Sequence, residues 1–527
     1  MSRAPSLAST GNGSGESGVV TRVTPSRRGL ITLSVMLATI MQALDTTIAN
    51  VALPHMQGNL SAAQDQISWV LTSYIVAAAV ATPLTGWLAG RYGRKRLFLI
   101  TVAGFTASSV LCGMAASLEQ IVVFRLLQGV FGAALVPLSQ TVLLDTYPHE
   151  QHGQAMAIWG MGIMVGPILG PTLGGYLTEF YSWRWVFYIN LPVGILAFLG
   201  VTAFVHETKI RKIPFDVLGF TFLSVALGAL QMFLDRGQLK DWFGSTEIVI
   251  EFWVGCFALY AFVVQMFTAE HPFLSPAIFK DRNFVTGLLF IFIVGIILLA
   301  TLALLPPFLQ DLMGYPVLTV GYVLAPRGIG TLIAMSIVGR VIARMDPRLL
   351  ILTGFLLASY SLYQMSQFTL DVTEWMLVWS GFLQGLGLGF IFVPLTTIAF
   401  ATLDPKLRTE AAGLYSLVRN LGSSIGISVV TTLLARFIQQ NHMNLASHAT
   451  MNNPAFHTTA VQQYWNLATV QGRAALDAEI NLQAATIAYL NDFKLMMYVM
   501  LLAVPMLIIM RRPKRRTAPS AEQMVME

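Results

Sequence analysis

Charged residues are scarce in this 527-residue chain, where Asp, Glu, Lys and Arg make up 11% and hydrophobic residues 55%. Soluble domains carry about 25% charged residues, so this composition indicates a polytopic membrane protein. There are only two cysteines, and both lie within apolar runs. We therefore expect no disulfide framework, and a cysteine-based metal site would have too few ligands.

Motifs for binding ATP and for hydrolytic chemistry are also missing. No GxxxxGK[ST] phosphate loop occurs, so we do not expect ATP as the energy source. No Ser-His-Asp or zinc-ligand spacing stands out, so we interpret the chain as a non-enzyme without a cofactor. The net charge of +6 would suit nucleic acid, but the positions of the cations favour a membrane topology and no nucleic-acid partner.

Long apolar runs dominate the sequence, and about fourteen of them reach the roughly 20 residues that cross a membrane. They lie near residues 30–50, 68–89, 97–117, 119–143, 153–178, 184–205, 216–235, 249–268, 285–309, 318–340, 348–368, 375–401, 410–436 and 489–510.

Lys and Arg are concentrated in alternate loops. These loops hold Arg27, Arg28, Arg91, Arg94, Lys95, Arg96, Lys209, Arg211, Lys212, Lys280, Arg282, Arg344, Arg348, Lys406 and Arg408, and the tail after residue 510 is also basic. By the positive-inside rule these loops and both termini are cytoplasmic, which requires an even number of spans. On the other side, residues 437–488 are predicted to form a long polar loop, although the pattern from Val461 onward also fits an amphipathic helix.

The two halves of the chain repeat each other. PLTGWLAGRYGRKRL from Pro83 aligns with SIVGRVIARMDPRLL from Ser336, and QGVFGAALVPLS from Gln128 aligns with QGLGLGFIFVPLT from Gln384. A parallel duplication of six-span halves is a transporter architecture with the substrate site between the halves. The predicted units are a disordered cytoplasmic tail (1–29), an N-terminal six-helix bundle (30–206), two extra helices with linkers (207–282), a C-terminal six-helix bundle that includes the loop 437–488 (283–510) and a basic cytoplasmic tail (511–527).

Several motifs resemble the major facilitator superfamily and, within it, the fourteen-span drug:proton antiporter family. They are GWLAGRYGRKR from Gly86, RLLQGVFGAA from Arg125, the glycine-rich stretch Gly160–Gly175, LDTTIANVALP from Leu44 and WRWVFYINLP from Trp183. The resemblance covers nearly the whole chain. It implies an all-α fold of two six-helix bundles plus two extra central helices, fourteen spans in all.

The same resemblance implies a function. We expect proton-coupled efflux of apolar or aromatic drugs and toxicants across the bacterial inner membrane by alternating access, with the proton gradient in place of a cofactor. The implied partners are small-molecule substrates, membrane lipid, and a periplasmic adaptor with an outer-membrane channel. Two alternatives stay open: an exporter of one physiological metabolite, and a receptor or scaffold without turnover.

Two charged residues inside apolar spans are the candidates for proton coupling. Asp45 is an intramembrane acid, which is a proton-site candidate by default. Arg125, in another span, is the candidate charge partner that moves when a proton binds. The alternatives are a structural Asp near the outer helix end and a static ion pair.

Other polar residues within the spans are candidates for the substrate cavity. They are Gln42, Gln128, Gln140, Gln384, Arg327, Arg419 and Asn420. A lone intramembrane glutamine is also explained by an interhelical hydrogen bond, and Arg327 by bridging of backbone carbonyls.

Two groups of residues are candidates for gating. In the first, glycines recur at every fourth position beside Pro167, at Gly162, Gly166, Gly170 and Gly174. Such a ridge lets another helix approach closely, so the alternative to gating is packing alone. The second group is the predicted cytoplasmic latch of Gly86, Arg91, Gly93, Arg94 and Asp145; the family motif usually has an acid where this chain has Gly90, and we expect Asp145 to supply it.

Overall fold

The computed structural model describes residues 25–510, apart from 209, 211–213 and 451–452. Most of the predicted tail 1–29, all of the tail 511–527, and Lys209, Arg211 and Lys212 lie outside the described residues. The described chain is helical and contains no β-strand. This agrees with a membrane environment, in which a helix satisfies its own backbone hydrogen bonds.

The helices follow one another with short connections. In the first part of the chain they are α1 (Pro25–Asn59), α2 (Gln64–Ile67), α3 (Trp69–Ala81), α4 (Leu84–Tyr92), α5 (Arg94–Met114), α6 (Leu118–Gly132), α7 (Leu135–Thr146), α8 (His152–Phe180), α9 (Trp185–Tyr188) and α10 (Asn190–Phe204). In the second part they are α11 (Val217–Arg236), α12 (Thr246–Thr268), α13 (Arg282–Pro307), α14 (Val317–Val341), α15 (Pro347–Met365), α16 (Glu374–Ala401), α17 (Arg408–Ser447), α18 (Thr459–Tyr464) and α19 (Val470–Ala503).

Twelve helical segments of the described chain are long and apolar enough to cross a membrane, or thirteen if the bent pair α3–α4 is one span. The remaining predicted run, near 348–368, corresponds to α15, which has 19 residues and carries several Ser, Tyr and Gln side chains. The prediction of an all-α polytopic membrane fold is confirmed. The count of fourteen is compatible with the structure and stays a prediction.

Two predicted spans are interrupted by proline. The run 68–89 bends by 57° between α3 and α4, where Pro83 has no backbone N–H to donate. The run 119–143 is broken between α6 and α7 at Ala133 and Ala134, because Pro137 cannot bond the carbonyl four residues earlier. Both breaks follow from the missing donor of proline.

The helices form two bundles and one added hairpin. In the N-terminal bundle α1 packs on α8, α10 and α7, and α6 packs on α3 and α5. In the C-terminal bundle α13 packs on α17 and α16, while α16 also packs on α14 and α15. The bundles meet at α8 against α14 and at α4 and α7 against α17; α11 and α12 form the hairpin, in which α11 contacts both α3 and α17.

We name the two faces of the molecule by what they carry. The basic side holds the start of α5 with Arg94 and the start of α17 with Arg408, and the loop side holds the connection from α17 to α19. The prediction of a solvated loop over 437–488 is wrong at its start, because α17 continues to Ser447, whereas the alternative of a helix from Val461 onward agrees with α19, which begins at Val470. These extensions stay paired, since Asn441 Nδ2 donates to the Ala484 carbonyl at 3.4 Å.

Candidate functional site

A closed network of polar side chains surrounds Asp45 in the middle of α1. The Asp45 carboxylate accepts from Arg125 Nη1 at 2.7 Å, from Gln128 Nε2 at 2.8 Å and from Asn190 Nδ2 at 3.0 Å. Asp45 is 0% exposed and Arg125 is 1% exposed, so the pair is fully buried. These bonds join three helices, α1, α6 and α10, at one carboxylate. The two proton-coupling candidates are therefore in direct contact.

Arg125 is held on several sides. Its Nε donates to the Val70 carbonyl at 3.1 Å, and its Nη1 also donates to Gln128 Oε1 at 2.8 Å. The guanidinium carbon lies 4.4 Å from the centroid of the Tyr74 ring, a cation–π distance. Tyr74 in turn accepts from Gln42 Nε2 at 3.2 Å. The side chain thus connects the buried acid to residues that face the cavity described next.

A large cavity lies between the two bundles, with a volume of about 1130 Å³. Its lining begins in the middle of the molecule at Arg125 and extends to His55 and Glu179, near the loop-side ends of α1 and α8. Most of the remaining lining is apolar, including Ile163, Leu298 and many other aliphatic side chains. A concave, mostly apolar site with a few polar groups is typical of small-molecule binding.

Some of the predicted cavity residues line this space and others do not. Gln42, Arg327, Arg419 and Asn420 line it, and so do Arg125 and Pro167. Gln128, Gln140 and Gln384 are each 0% exposed and lie behind the wall. Gln140 lies in α7, and neither atom of its amide has a hydrogen-bond partner.

The C-terminal half repeats part of the Asp45 network without its charges. Gln384 Nε2 donates to Thr301 Oγ1 at 3.2 Å, and the two residues are 83 positions apart. Gln128 and Asp45 are also 83 positions apart. Thr301 therefore takes the place of Asp45, and Gly381, three residues before Gln384, takes the place of Arg125.

The glycine ridge of α8 faces its own bundle. A Cβ added at Gly166 would meet the Ala43 carbonyl of α1, and one at Gly174 would lie 2.9 Å from Ile48 Cγ1. Gly162 and Gly170 meet Met36 and Thr47 of the same helix. The ridge thus allows close packing of α1 on α8, whereas the opposite face of α8, with Pro167 and Ile168, lines the cavity.

The basic side joins the two bundles. Asp145 forms ion pairs with Arg94 of its own half and with Arg408 of the other half, the latter at 3.6 Å. A Cβ at Gly86 would lie 2.8 Å from Glu410 Cα of α17. These contacts hold the two bundles together on the basic side, and Asp145 is the acid at this contact.

The other latch candidates have different surroundings. Gly93 has a φ of +88°, a conformation that only glycine adopts easily, and it lies next to the Glu207 carboxylate. That carboxylate accepts from the backbone N–H groups of Lys95 and Arg96, both at 3.1 Å, at the start of α5. Arg91 is exposed.

Sequence reasoning missed three members of the site. Asn190 and Ser109 complete the network, with Asn190 Nδ2 donating to Ser109 Oγ at 2.9 Å. Asn190 lies within the motif from Trp183 that carries the family resemblance, so a signal for it was present. Thr301 gave no signal as a neutral residue in an apolar run, and its role is visible only through its contact with Gln384.

Comparisons with known proteins agree with this architecture. The chain is 40% identical over 432 residues to the fatty acid resistance protein FarB of Neisseria gonorrhoeae, covering 82% of this chain and 85% of FarB. It is 37% identical over 428 residues to the multidrug export protein EmrB of Escherichia coli K12, covering 81% and 84%.

Similarity in three dimensions supports the same fold. The structure of the proton:xylose symporter XylE matches with a TM-score of 0.57 at 13% identity, over 89% of this chain and 96% of XylE. The sequence profile of the Major Facilitator Superfamily matches residues 35–427. With its two six-helix bundles and these matches, the chain belongs to the Major Facilitator Superfamily.

Proposed function

We propose that this protein is a proton-coupled exporter of apolar and aromatic drugs and toxicants that works by alternating access. The cavity is closed on the basic side and lined as far as the loop side, which is one of the two end states such a cycle requires. The similarity to a multidrug export protein and to a fatty acid resistance protein supports efflux as the direction of transport.

The buried pair of Asp45 and Arg125 carries the proposal of proton coupling. A buried carboxylate without a partner is energetically unfavourable, so neutralising Asp45 or removing Arg125 strongly changes the free energy of this region. A proton bound to Asp45 neutralises the carboxylate and frees the Arg125 guanidinium from its counter-charge. Since Arg125 also lines the cavity, the release of its ion pair transmits protonation to the substrate space.

The test is the substitution Asp45→Asn in proteoliposomes with an imposed proton gradient. We expect drug-dependent proton flux and uphill efflux to be lost, because the amide cannot carry a proton, while drug binding at equilibrium remains. Asp235→Asn is the control, since Asp235 is an exposed acid at the end of α11 in the added hairpin and accepts a hydrogen bond from Thr72 of α3. Unchanged drug-dependent proton flux in Asp45→Asn would remove Asp45 from the mechanism.

We further propose a location in the bacterial inner membrane with both termini in the cytoplasm. The basic side then faces the cytoplasm, as the positive-inside rule requires. The cavity would accordingly face outward in this structure. Reactivity of a cysteine introduced at the exposed residue Arg91 toward an impermeant maleimide distinguishes the two orientations: we expect labelling in inside-out vesicles and protection in intact cells.

The paired extensions of α17 and α19 are proposed to contact an EmrA-like periplasmic adaptor, and through it an outer-membrane channel. Exposed apolar side chains on or beside them support a protein contact, including Met443 at 65% exposed and Val470 at 74%. Adaptor pull-down with the double variant Met443→Glu, Val470→Glu is expected to fail, while Trp375→Glu, an exposed residue at the start of α16, retains it. Equal capture by wild type and double variant would exclude this surface.

A further inference from the structure

Two arginines face the cavity without an acidic partner. Arg327 is 6% exposed; its Nη2 donates to the Leu298 carbonyl at 3.2 Å, and its Nη1 has no partner. Arg419 is half-buried, and its side chain reaches only Asn420 Oδ1, at 3.5 Å. Within the part of the chain that the structure describes, neither guanidinium forms an ion pair.

Two other arginines that are largely shielded from solvent are neutralised. Arg125 is paired with Asp45, and Arg236 of the added hairpin is paired with Glu247 and Glu251. Among the acidic residues that the structure describes, only Glu179 lines the cavity, near the loop-side end of α8. The middle of the cavity thus carries an uncompensated positive charge.

The two free arginines lie beside one stretch of α13. Gly295 lets the backbone of α17 at Arg419 approach α13, and Arg327 of α14 reaches the carbonyl of Leu298, three residues further along. Gly385 on α16 lets α14 approach closely at Arg327, since an added Cβ there would overlap the Arg327 carbonyl oxygen. Leu299 and Leu302 continue the same helix as an apolar wall of the cavity. A cationic end and an apolar wall are therefore adjacent.

We propose that this cavity binds amphipathic organic anions, with a carboxylate head group on Arg327 and Arg419 and an apolar tail along α13 and α8. A buried guanidinium without a counter-charge is unfavourable, and a carboxylate matches its planar donors bidentately. Bridging of carbonyls does not account for Arg327, because Nη1 stays unbonded. The proposal rests on the proposed export function and specifies the charge of the substrate.

Equilibrium binding of three ten-carbon probes to the purified full-length protein in nanodiscs tests it. The probes are decanoate, decanol and decyltrimethylammonium, with empty nanodiscs as the blank for partitioning into lipid. We expect wild type to bind decanoate about tenfold or more tighter than decanol, as for a charge-assisted hydrogen bond, and the ammonium probe most weakly. Arg327→Gln should abolish the preference for decanoate, and Arg327→Lys should keep part of it.

Two further variants control the result. Arg236→Gln changes an arginine outside the cavity and should leave the preference unchanged, and Arg419→Gln should reduce it. Retained decanol binding shows that each variant is folded. Equal affinity of wild type for all three probes, or an unchanged preference for decanoate in Arg327→Gln, would overturn the proposal.

The outcome is separable from that of the proposed function. Binding is measured without a proton gradient, so a protein that fails to transport still reports its preference for anions. Conversely, Asp45→Asn should lose proton-driven efflux and keep the preference for decanoate.

Discussion

The two halves of this protein keep one hydrogen bond at equivalent positions and differ in the charges around it. In the N-terminal half Gln128 donates to Asp45, which is paired with Arg125. In the C-terminal half Gln384 donates to Thr301, and Gly381 replaces the arginine. The C-terminal cation instead comes from a neighbouring helix, as Arg327, and has no ion-pair partner in the described part of the chain.

This difference separates the contacts that pack the helices from the charges that packing does not require. The amide–acceptor contact ties the first helix of each half to its fourth span, which any membrane bundle can use for packing. The charges are present in only one of the two sites, so packing alone does not require them. We infer that the N-terminal half handles the proton and the C-terminal half supplies charge to the substrate space.

The largest expected effect comes from removing Arg125. Arg125→Met leaves Asp45 buried without its cation and should destabilise the folded protein by about 3–5 kcal/mol. The matching change in the other half, Thr301→Val, removes only neutral hydrogen bonds, including the acceptor of the buried Gln384 amide, and should cost about 1–3 kcal/mol. Thermal unfolding in detergent measures both.

A double variant sharpens this contrast. Asp45→Asn combined with Arg125→Met removes both charges together and should recover most of the stability lost in Arg125→Met, because no lone charge remains. Equal destabilisation by Arg125→Met and Thr301→Val would show that the difference in charge between the two halves does not affect the stability of the folded protein.

A second comparison concerns glycines, in which the halves are alike. Gln128 and Gln384 occupy equivalent positions in the two halves. The same separation along the chain makes Gly166 equivalent to Gly422 and Gly170 equivalent to Gly426. A Cβ at Gly426 would lie 2.7 Å from Ile296 Cα of α13. Gly166→Ala and Gly422→Ala should therefore each destabilise by about 1–3 kcal/mol, as overpacking does. Thermal unfolding, with proton leak into proteoliposomes, measures the effect.

Gly175→Ala is the control within the same helix, since its Cβ would lie 4.0 Å from Val51 Cγ1 with no closer contact. It should be tolerated. A Gly166→Ala protein that is stable but leaks protons would favour a gating role for this ridge over packing. Efflux without proton leak in Gly166→Ala would show that the ridge serves helix packing alone.

The smallest expected effect concerns the contact between halves on the basic side. Asp145→Asn removes partners of Arg94 and Arg408, but Asp145 is 39% exposed, so the loss should be at most about 1 kcal/mol. That loss favours opening of the basic side by a factor of up to about 5. A cysteine at Ile342, which packs on Gly153 across the interface, should then react faster with an impermeant maleimide.

The exposed pair of Lys240 and Glu247 provides the comparison for this variant. Glu247→Gln breaks ion pairs on the added hairpin and should leave the reactivity at Ile342 unchanged. Equal acceleration by both variants would show that the effect is a general loosening and not release of the contact between halves.

Much of the architecture was readable from local sequence. Apolar runs located the helices because a span of about 20 apolar residues has few alternatives to crossing a membrane. Asp45 and Arg125 stand out because charge in such a run is rare and costly. Asn190 does not, since a neutral amide near a helix start has many ordinary explanations.

Other features depended on what lies across from a residue. The sequence of α8 showed a glycine ridge, but only the packed structure shows that the ridge faces α1 while Pro167 faces the cavity. Likewise, the polar composition of residues 437–488 indicated exposure to solvent, and the pairing of α17 with α19 keeps much of that segment helical. The periodicity of a sequence shows which residues share one face of a helix, but it does not show which helix packs against that face.

The sequence by itself determined the membrane class, the duplicated halves and the basic side, and it singled out Asp45 and Arg125, because each of these is set by composition or spacing along the chain. It did not single out Asp492, which is also fully buried, in α19. Tertiary structure alone decided which charges meet. Asp45 and Arg125 are 80 positions apart and form a buried pair, whereas Arg327 and Arg419 reach the cavity without an ion-pair partner among the described residues. Partnership between charges depends on distances of a few ångströms across helices, and no local pattern encodes those distances.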